Sequence, residues 1–243
     1  MNARRKQLSI VVPCYNEAGN LPSLFDRFRE LLAGRDDVEL VLVNNGSRDH
    51  SALVIACELD KPENAFARSV AVPVNQGYGY GILTGLRAAT GEYLAWTHAD
   101  LQTDPNDVLL GFCRLLAEPA PQQCLVRGRR VGRPFVDRAF TMGMGWVASA
   151  ALATPLSDIN AQPKIFHHSL LAEMADAPSD FSLDLYLLYL AQRKGLKVLE
   201  QPVQFGDRQH GEAKGGGSLR GKAKLTRRTL QYIFKLRQQL RAA

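Results

Sequence analysis

Three residues at a spacing of two, His98, Asp100 and Gln102, follow the apolar run Tyr93-Leu-Ala-Trp-Thr97. Along an extended chain side chains alternate, so positions two apart share a face. Asp100 and Gln102 offer oxygen ligands, which hard divalent cations such as Mg2+ prefer. His98 offers a neutral nitrogen, which suits Mn2+ better than Mg2+. A metal held just past the carboxyl end of a strand would lie where open α/β sheets bind their ligands.

Three other segments carry polar groups just past apolar runs. In Pro13-Cys-Tyr-Asn-Glu17, Tyr15 can lie flat against a nucleobase or ribose and Glu17 can accept ribose hydroxyls. The same residues also read as a helix-initiating turn. In Asn44-Asn45-Gly-Ser-Arg-Asp-His50, an Asn amide both donates and accepts, as reading a nucleobase edge requires, although Asn-Gly is also a common turn. Asn75-Gln76-Gly-Tyr-Gly-Tyr-Gly81 lets backbone approach a ligand or a packed strand closely, but it is not a phosphate-binding loop of the G-x-x-x-x-G-K-[ST] type.

The elements that must position these residues alternate. Strands are expected at Leu8–Pro13, Glu39–Asn44, Phe66–Val72, Tyr93–Thr97 and Gln123–Val126. Between them lie helical patterns, the first capped at Asn20 with apolar positions Leu21, Leu24, Phe25, Phe28, Leu31 and Leu32. Such alternation implies a mostly parallel sheet covered on both faces. Beyond Gly128 the pattern loosens into a basic loop and then an uncharged helical stretch between Arg138 and Asp158, too broken by Gly and Pro for a membrane span. A helix over about 181–194, short strands at Leu196–Leu199 and Val203–Phe205, a glycine-rich segment at Gly211–Ser218 and a terminal helix over about 219–240 complete the reading.

With 243 residues, 46% hydrophobic and 22% charged, the chain is sized for one α/β domain. The expected division is an α/β domain over 1–212 and a basic tail over 213–243, a glycine-rich segment followed by an amphipathic helix. No acidic residue follows Glu212, and the tail holds nine Lys and Arg residues. Thirty basic residues less those nine leave 21 against 24 acidic, so the body sits near −3 and the net +6 belongs to the tail. Cys14, Cys57, Cys113 and Cys124 show no CxxC spacing, and buried free thiols in a reducing cytoplasm are expected. The N-terminus shows no apolar signal-peptide core. No recognition motif accompanies the basic residues, so nucleic acid is not expected as a partner. Oligomeric state cannot be read.

The order of these segments, Val11-Val-Pro-Cys-Tyr-Asn-Glu17, Val43-Asn-Asn-Gly-Ser-Arg-Asp49, Asn75-Gln-Gly-Tyr-Gly79 and Ala99-Asp-Leu-Gln-Thr-Asp-Pro105, resembles the inverting glycosyltransferase family two, with its GT-A fold. Asp100-Leu-Gln-Thr-Asp-Pro105 and the late Pro202-Val-Gln-Phe-Gly-Asp-Arg-Gln-His-Gly211 are most similar to the dolichyl- and polyprenyl-phosphate sugar synthases. The resemblance implies a Rossmann-like α/β sheet and transfer from a nucleoside-diphosphate sugar with Mg2+ or Mn2+. It implies that Pro13, Tyr15, Glu17, Asn45 and Gln76 line the donor pocket. Asp100 and Gln102 would face metal and diphosphate, with His98 as a further ligand. Arg208 and Lys214 would neutralise the diphosphate, and Arg130 and Arg138 would hold an acceptor phosphate. Two departures stand out: His98 replaces the usual Asp that opens the metal motif, and Asn44-Asn45 replaces Asp-Asp.

A lipid-phosphate acceptor would arrive as an anion and need no strong base. A sugar hydroxyl would need one, and Asp184 is the expected candidate, with Asp158 second. A nucleotide-sugar-binding protein without turnover is a further reading. The terminal helix, apolar at Leu225, Thr229, Tyr232, Ile233, Leu236 and Leu240 and basic elsewhere, reads either as an arm on an anionic membrane surface or as a helix docked on the domain. The expected location is cytoplasmic, peripheral on the membrane's cytoplasmic face in the first reading.

Overall fold

The computed structural model describes residues 6–132, 135–206 and 227–237, without the side chains of 135–141 and 144. A seven-stranded sheet runs β3-β2-β1-β4-β6-β5-β7, with β1 Leu8–Cys14, β2 Val38–Asn45, β3 Ala67–Val72, β4 Tyr93–Trp96, β5 Cys124–Val131, β6 Lys164–His167 and β7 Lys197–Gln204. Only β6 runs antiparallel, to both β4 and β5. The other pairings are parallel. This is the mostly parallel α/β architecture expected from strand–helix alternation.

The helices are α1 Leu21–Leu31, α2 Ser51–Leu59, α3 Tyr78–Ala88, α4 Asn106–Leu116, α5 Phe135–Leu152, α6 Leu183–Arg193 and α7 over 227–237. Alternation along the strands sorts the core into two layers. Ile10, Val12, Leu40 and Leu42 pack with Phe25 and Phe28 of α1 and Phe112 of α4. Val11, Val41, Val43 and Trp96 pack with Ile82 of α3, Leu187 of α6 and Ile233 of α7. Both faces of the central strands β1 and β2 are therefore dry, which is why they read as continuous apolar runs. Gly85 of α3 shows how close the packing is: a Cβ there would strike Val11 Cγ1 and come within 2.7 Å of Val43 Cγ2.

Several expectations are corrected. β4 ends at Trp96, one residue earlier than expected, and Leu101 has a φ of 54°. The chain turns through 98–102, so simple alternation does not set the directions of His98, Asp100 and Gln102. The basic stretch beyond Gly128 is strand, since β5 continues to Val131. The two late strands are one, β7, with Pro202 inside it. β7 is an edge strand paired only with β5, where a missing N–H is tolerated. β6 was not anticipated, because four residues opening on a lysine give no alternation. Cys57 and Cys113 are exposed, and only Cys14 and Cys124 are buried. Asn20 occupies the cap position of α1, but its amide donates to Glu17 Oε2 at 2.6 Å and makes no side-chain cap bond. The α7 apolar face is docked: Ile233 and Leu236 are buried in the domain core, while Arg227, Arg228, Phe234 and Lys235 face outward.

Candidate active site

After β1 the chain moves outward through β2 and β3, then returns to the other side of β1 as β4. The carboxyl ends of β1 and β4 thus flank a topological switch point, where open α/β sheets leave a crevice. The tips carrying Tyr15–Glu17 and His98–Gln102 follow those two strands. Thr97 N donates to Val11 O at 3.1 Å and keeps the two strands in step just before the tips.

The tip after β1 is tied to the loop after β2. Asn16, at φ 55°, donates its N–H to Ser47 Oγ at 3.1 Å, and its side-chain oxygen accepts from Arg48 N at 2.7 Å. Glu17 N donates to Ser51 Oγ at 2.9 Å, and Ala18 N to Asp49 Oδ2 at 3.2 Å. Asp49 is held below the usual carboxylate range: burial opposes ionisation, but hydrogen bonds from Ser51 and the Ala18 amide outweigh it. Pro13, Tyr15 and Glu17 are half-buried on this braced tip.

Asn45 is buried, and its amide Nδ2 donates to Gly77 O at 2.9 Å. Asn75 Nδ2 returns a bond to Asn45 O at 3.0 Å. Gly81 leaves room for Asn45, since a Cβ there would fall 2.8 Å from Nδ2. The glycine-rich segment therefore serves packing at these positions: Gly79 abuts the carbonyls of Pro178 and Asp180. Gln76 is exposed.

At the β4 tip Asp100 is only 6% exposed, and its Oδ1 accepts from Gln102 N at 3.2 Å. Gln102 binds the chain just beyond β7 from both sides: its Nε2 donates to Gly206 O at 3.3 Å, and its carbonyl accepts from Gly206 N at 2.8 Å. Burial depresses the His98 pKa despite the opposing charges of Asp100 and Asp184, so the imidazole stays neutral, the form that ligates metals. Among the described residues no three His, Cys, Asp or Glu side chains group closely enough to enclose a metal. By donor chemistry alone, a carboxylate, an amide oxygen and an imidazole can share a divalent cation with substrate phosphate and water, the imidazole suiting Mn2+ better than Mg2+.

Beneath this tip lies a buried polar cluster. Lys164, the first residue of β6, is wholly buried and stands 3.2 Å from Asp184 Oδ1, itself 2% exposed. Lys164 Nζ also donates to Ile159 O at 2.8 Å and Ala161 O at 2.5 Å. Burial lowers the Lys164 pKa and Asp184 opposes that shift. The Tyr78 hydroxyl accepts from Gln162 Nε2 and faces Asp184 and Trp96; burial and the Asp184 charge push its pKa well up. Tyr78 stacks on Phe181 at 4.7 Å between ring centroids. Neither Lys164 nor Tyr78 was anticipated as part of the site. In sequence Lys164 stands out only as a departure, in Gln162-Pro163-Lys164, where the resembling polyprenyl-phosphate synthases usually carry Gly-Phe-Arg.

The arginines of β5 are engaged. Arg127 donates to Ser157 O at 2.8 Å and pairs with Glu200, which also holds Arg129 at 3.1 Å. Arg130 grips Asp158: its backbone N–H reaches Oδ2 at 2.8 Å, while Nε and Nη2 reach Oδ1 at 2.8 and 2.5 Å. Phe205 lies under the guanidinium, 5.9 Å from Cζ to ring centroid. His98 feels the charges of Arg130, Lys164 and Asp184, so these groups share one electrostatic neighbourhood with the β4 tip. Arg208, Lys214 and the side chain of Arg138 lie outside the described residues.

Residues 9–145 match the family model described as Glycosyl transferase family 2. An uncharacterized glycosyltransferase of Mycobacterium tuberculosis is 30% identical over 219 residues, 88% of this chain and 92% of that one. An undecaprenyl-phosphate 4-deoxy-4-formamido-L-arabinose transferase of Photorhabdus laumondii is 26% identical, across 86% of this chain and 63% of its own length. The dolichyl-phosphate beta-glucosyltransferase of Trichomonas vaginalis is 27% identical, across 82% and 66%. Among solved structures, glucosyl-3-phosphoglycerate synthase from Mycobacterium tuberculosis with Mn2+, UDP and glucosyl-3-phosphoglycerate superposes with a TM-score of 0.69 at 20% identity, covering 96% of this chain and 80% of that one. The shared fold is the GT-A fold. From its strand-end motifs, its sheet and its relatives, the chain belongs to glycosyl transferase family 2.

Proposed function

We propose that the protein transfers a sugar from a nucleoside-diphosphate sugar to a polyprenyl phosphate, with inversion at the anomeric carbon. The observation that carries the choice of acceptor is the state of the two candidate bases. Asp184 is buried against Lys164, and Asp158 is gripped by Arg130. A hydroxyl acceptor needs a carboxylate free to take its proton. A phosphate monoester is already an anion at neutral pH and asks only for cations to hold it. The undecaprenyl- and dolichyl-phosphate relatives support the same acceptor class.

In this reading the braced tip with Pro13, Tyr15 and Glu17 holds the nucleoside, and Asn45 and Gln76 complete that wall. Asp100, Gln102 and His98 would hold Mg2+ or Mn2+, which when bound supplies positive charge to the departing diphosphate. Arg208 and Lys214 would add further positive charge. Lys164 is the structural counter-ion of Asp184, and Arg130, with Arg138, receives the acceptor phosphate. Residues 1–212 form the catalytic unit in this proposal. The outward Arg227, Arg228 and Lys235 of α7 would meet anionic lipid by charge rather than by the docked apolar face, giving a peripheral protein on the cytoplasmic side.

Thermal-shift measurement with UDP-, GDP- and dTDP-sugars, with and without Mn2+, identifies the donor by mass action. Sugar transfer is then measured to a short isoprenyl phosphate and to a matched isoprenyl alcohol. Transfer to the phosphate alone is expected. Transfer to the alcohol would overturn the acceptor assignment, and donor binding without turnover on any acceptor would leave only a nucleotide-sugar-binding protein.

A further inference from the structure

The guanidinium fork of Arg130 together with its own backbone N–H forms a three-donor anion cradle, and Asp158 fills it. The side chains are 13% and 16% exposed, so the pair is covered but not sealed. Phe205 backs the guanidinium. A fork of this kind suits carboxylate and phosphate oxygens alike. Asp158 therefore stands where an incoming phosphate would bind.

The loop backbone around Asp158 has its own anchors. Asp158 has a φ of 41°, its carbonyl accepts from Ala161 N at 3.0 Å, and Lys164 Nζ holds the next carbonyls at Ile159 and Ala161. These three bonds hold the backbone independently of the carboxylate.

We propose that Asp158 is a tethered competitor that sets the specificity of the Arg130 cradle, admitting a dianionic phosphate monoester while shutting out monoanions. This rests on the acceptor reading above and assigns its selectivity. A tethered group acts at an effective concentration on the order of millimolar or more. A monoanion offers Arg130 nothing that Asp158 does not, and so fails to displace it. A phosphate monoester carries close to two charges above a second pKa of about 6 and presents three oxygens to the three donors. The cradle thereby separates a monoester acceptor from phosphodiesters and carboxylates.

The test uses calorimetric titration of the full chain at pH 7.5 with methyl phosphate, a dianion, and dimethyl phosphate, a monoanion. Wild type is expected to bind methyl phosphate and not dimethyl phosphate. Asp158→Asn should bind methyl phosphate about tenfold more tightly and acquire binding of dimethyl phosphate. Arg130→Gln should bind neither. Unchanged or weaker methyl phosphate binding in a folded Asp158→Asn overturns the proposal, because a merely structural pair would behave that way. If that variant does not fold, the wild-type structure with methyl phosphate decides. Phosphate on Arg130 with Asp158 turned away supports exchange, whereas an intact Arg130–Asp158 pair refutes it. No donor or turnover enters this measurement. Selective binding without transfer to isoprenyl phosphate would sink the acceptor reading and leave the competitor standing.

Discussion

Replacing Asp184 by Asn separates a buried counter-ion from a catalytic base. In the structure Asp184 and Lys164 are 2% and 0% exposed, at 3.2 Å from each other. Removing one partner of such a pair strands the other charge in low dielectric and costs about 3–5 kcal/mol. For a chain of this size each kcal/mol lowers Tm by about 2–4 °C, so a fall of about 6–20 °C is expected. Lys164→Met should fall in the same range. The double variant should lose less than the sum of the two, because neither charge then remains unpaired. Loss of a general base, by contrast, costs about 10²–10⁴ in kcat without needing to touch stability. Differential scanning calorimetry and steady-state kinetics on the isoprenyl phosphate, both well below the variant's Tm, separate the two. An Asp184→Asn protein that melts with wild type yet turns over at least a hundredfold more slowly would refute the reasoning.

Glu39, near the start of β2 at the end of the sheet away from the crevice, is opposed in its ionisation by burial, but Arg68, Ser9 and Thr90 outweigh this and hold its pKa at about 2. The folded pKa lies below the unfolded one. The stabilisation, about 3 kcal/mol, is therefore complete above about pH 4.5 and drains away as pH falls toward 2. Urea titrations at pH 7, 4 and 3 should show that loss, and Glu39→Gln should flatten it; equal slopes in both proteins would rule it out. Gly85→Ala should destabilise by about 1–3 kcal/mol through overpacking against Val11 and Val43, read as a shift in the urea midpoint. Asp100→Ala should abolish the part of the nucleotide-sugar thermal shift that depends on Mn2+, while a metal-independent remainder survives on the Tyr15 tip; a full metal-dependent shift would remove Asp100 from the metal set.

Electrostatics ties these experiments together. The positive charge of the chain is concentrated in the tail, and within the described domain the arginines and Lys164 nearest the crevice are already matched by carboxylates. An anionic ligand must therefore bring enough charge to replace a carboxylate, or use the arginines and lysines that lie beyond Gly206.

Local pattern alone determined much of this protein. The β-branched runs of β1 and β2 cannot be soluble edges, and alternation with amphipathic helices forces a parallel sheet with its ligand crevice at the carboxyl ends. The tips carrying Tyr15, Asn45 and Asp100 were legible because their residue types, order and spacing all lie within short stretches of chain. What lay beyond sequence was pairing between distant stretches. Lys164 and Asp184 are twenty positions apart, and Arg130 and Asp158 twenty-eight. Each looks like an ordinary charge until β6 slots antiparallel between β4 and β5 and draws its neighbours together. Burial then decides their chemistry: in a dry interior an unmatched charge is too costly to keep. Tertiary packing paired the two candidate bases with cations, Asp184 with Lys164 and Asp158 with Arg130, and it buried Ile233 and Leu236 of α7 in the domain core.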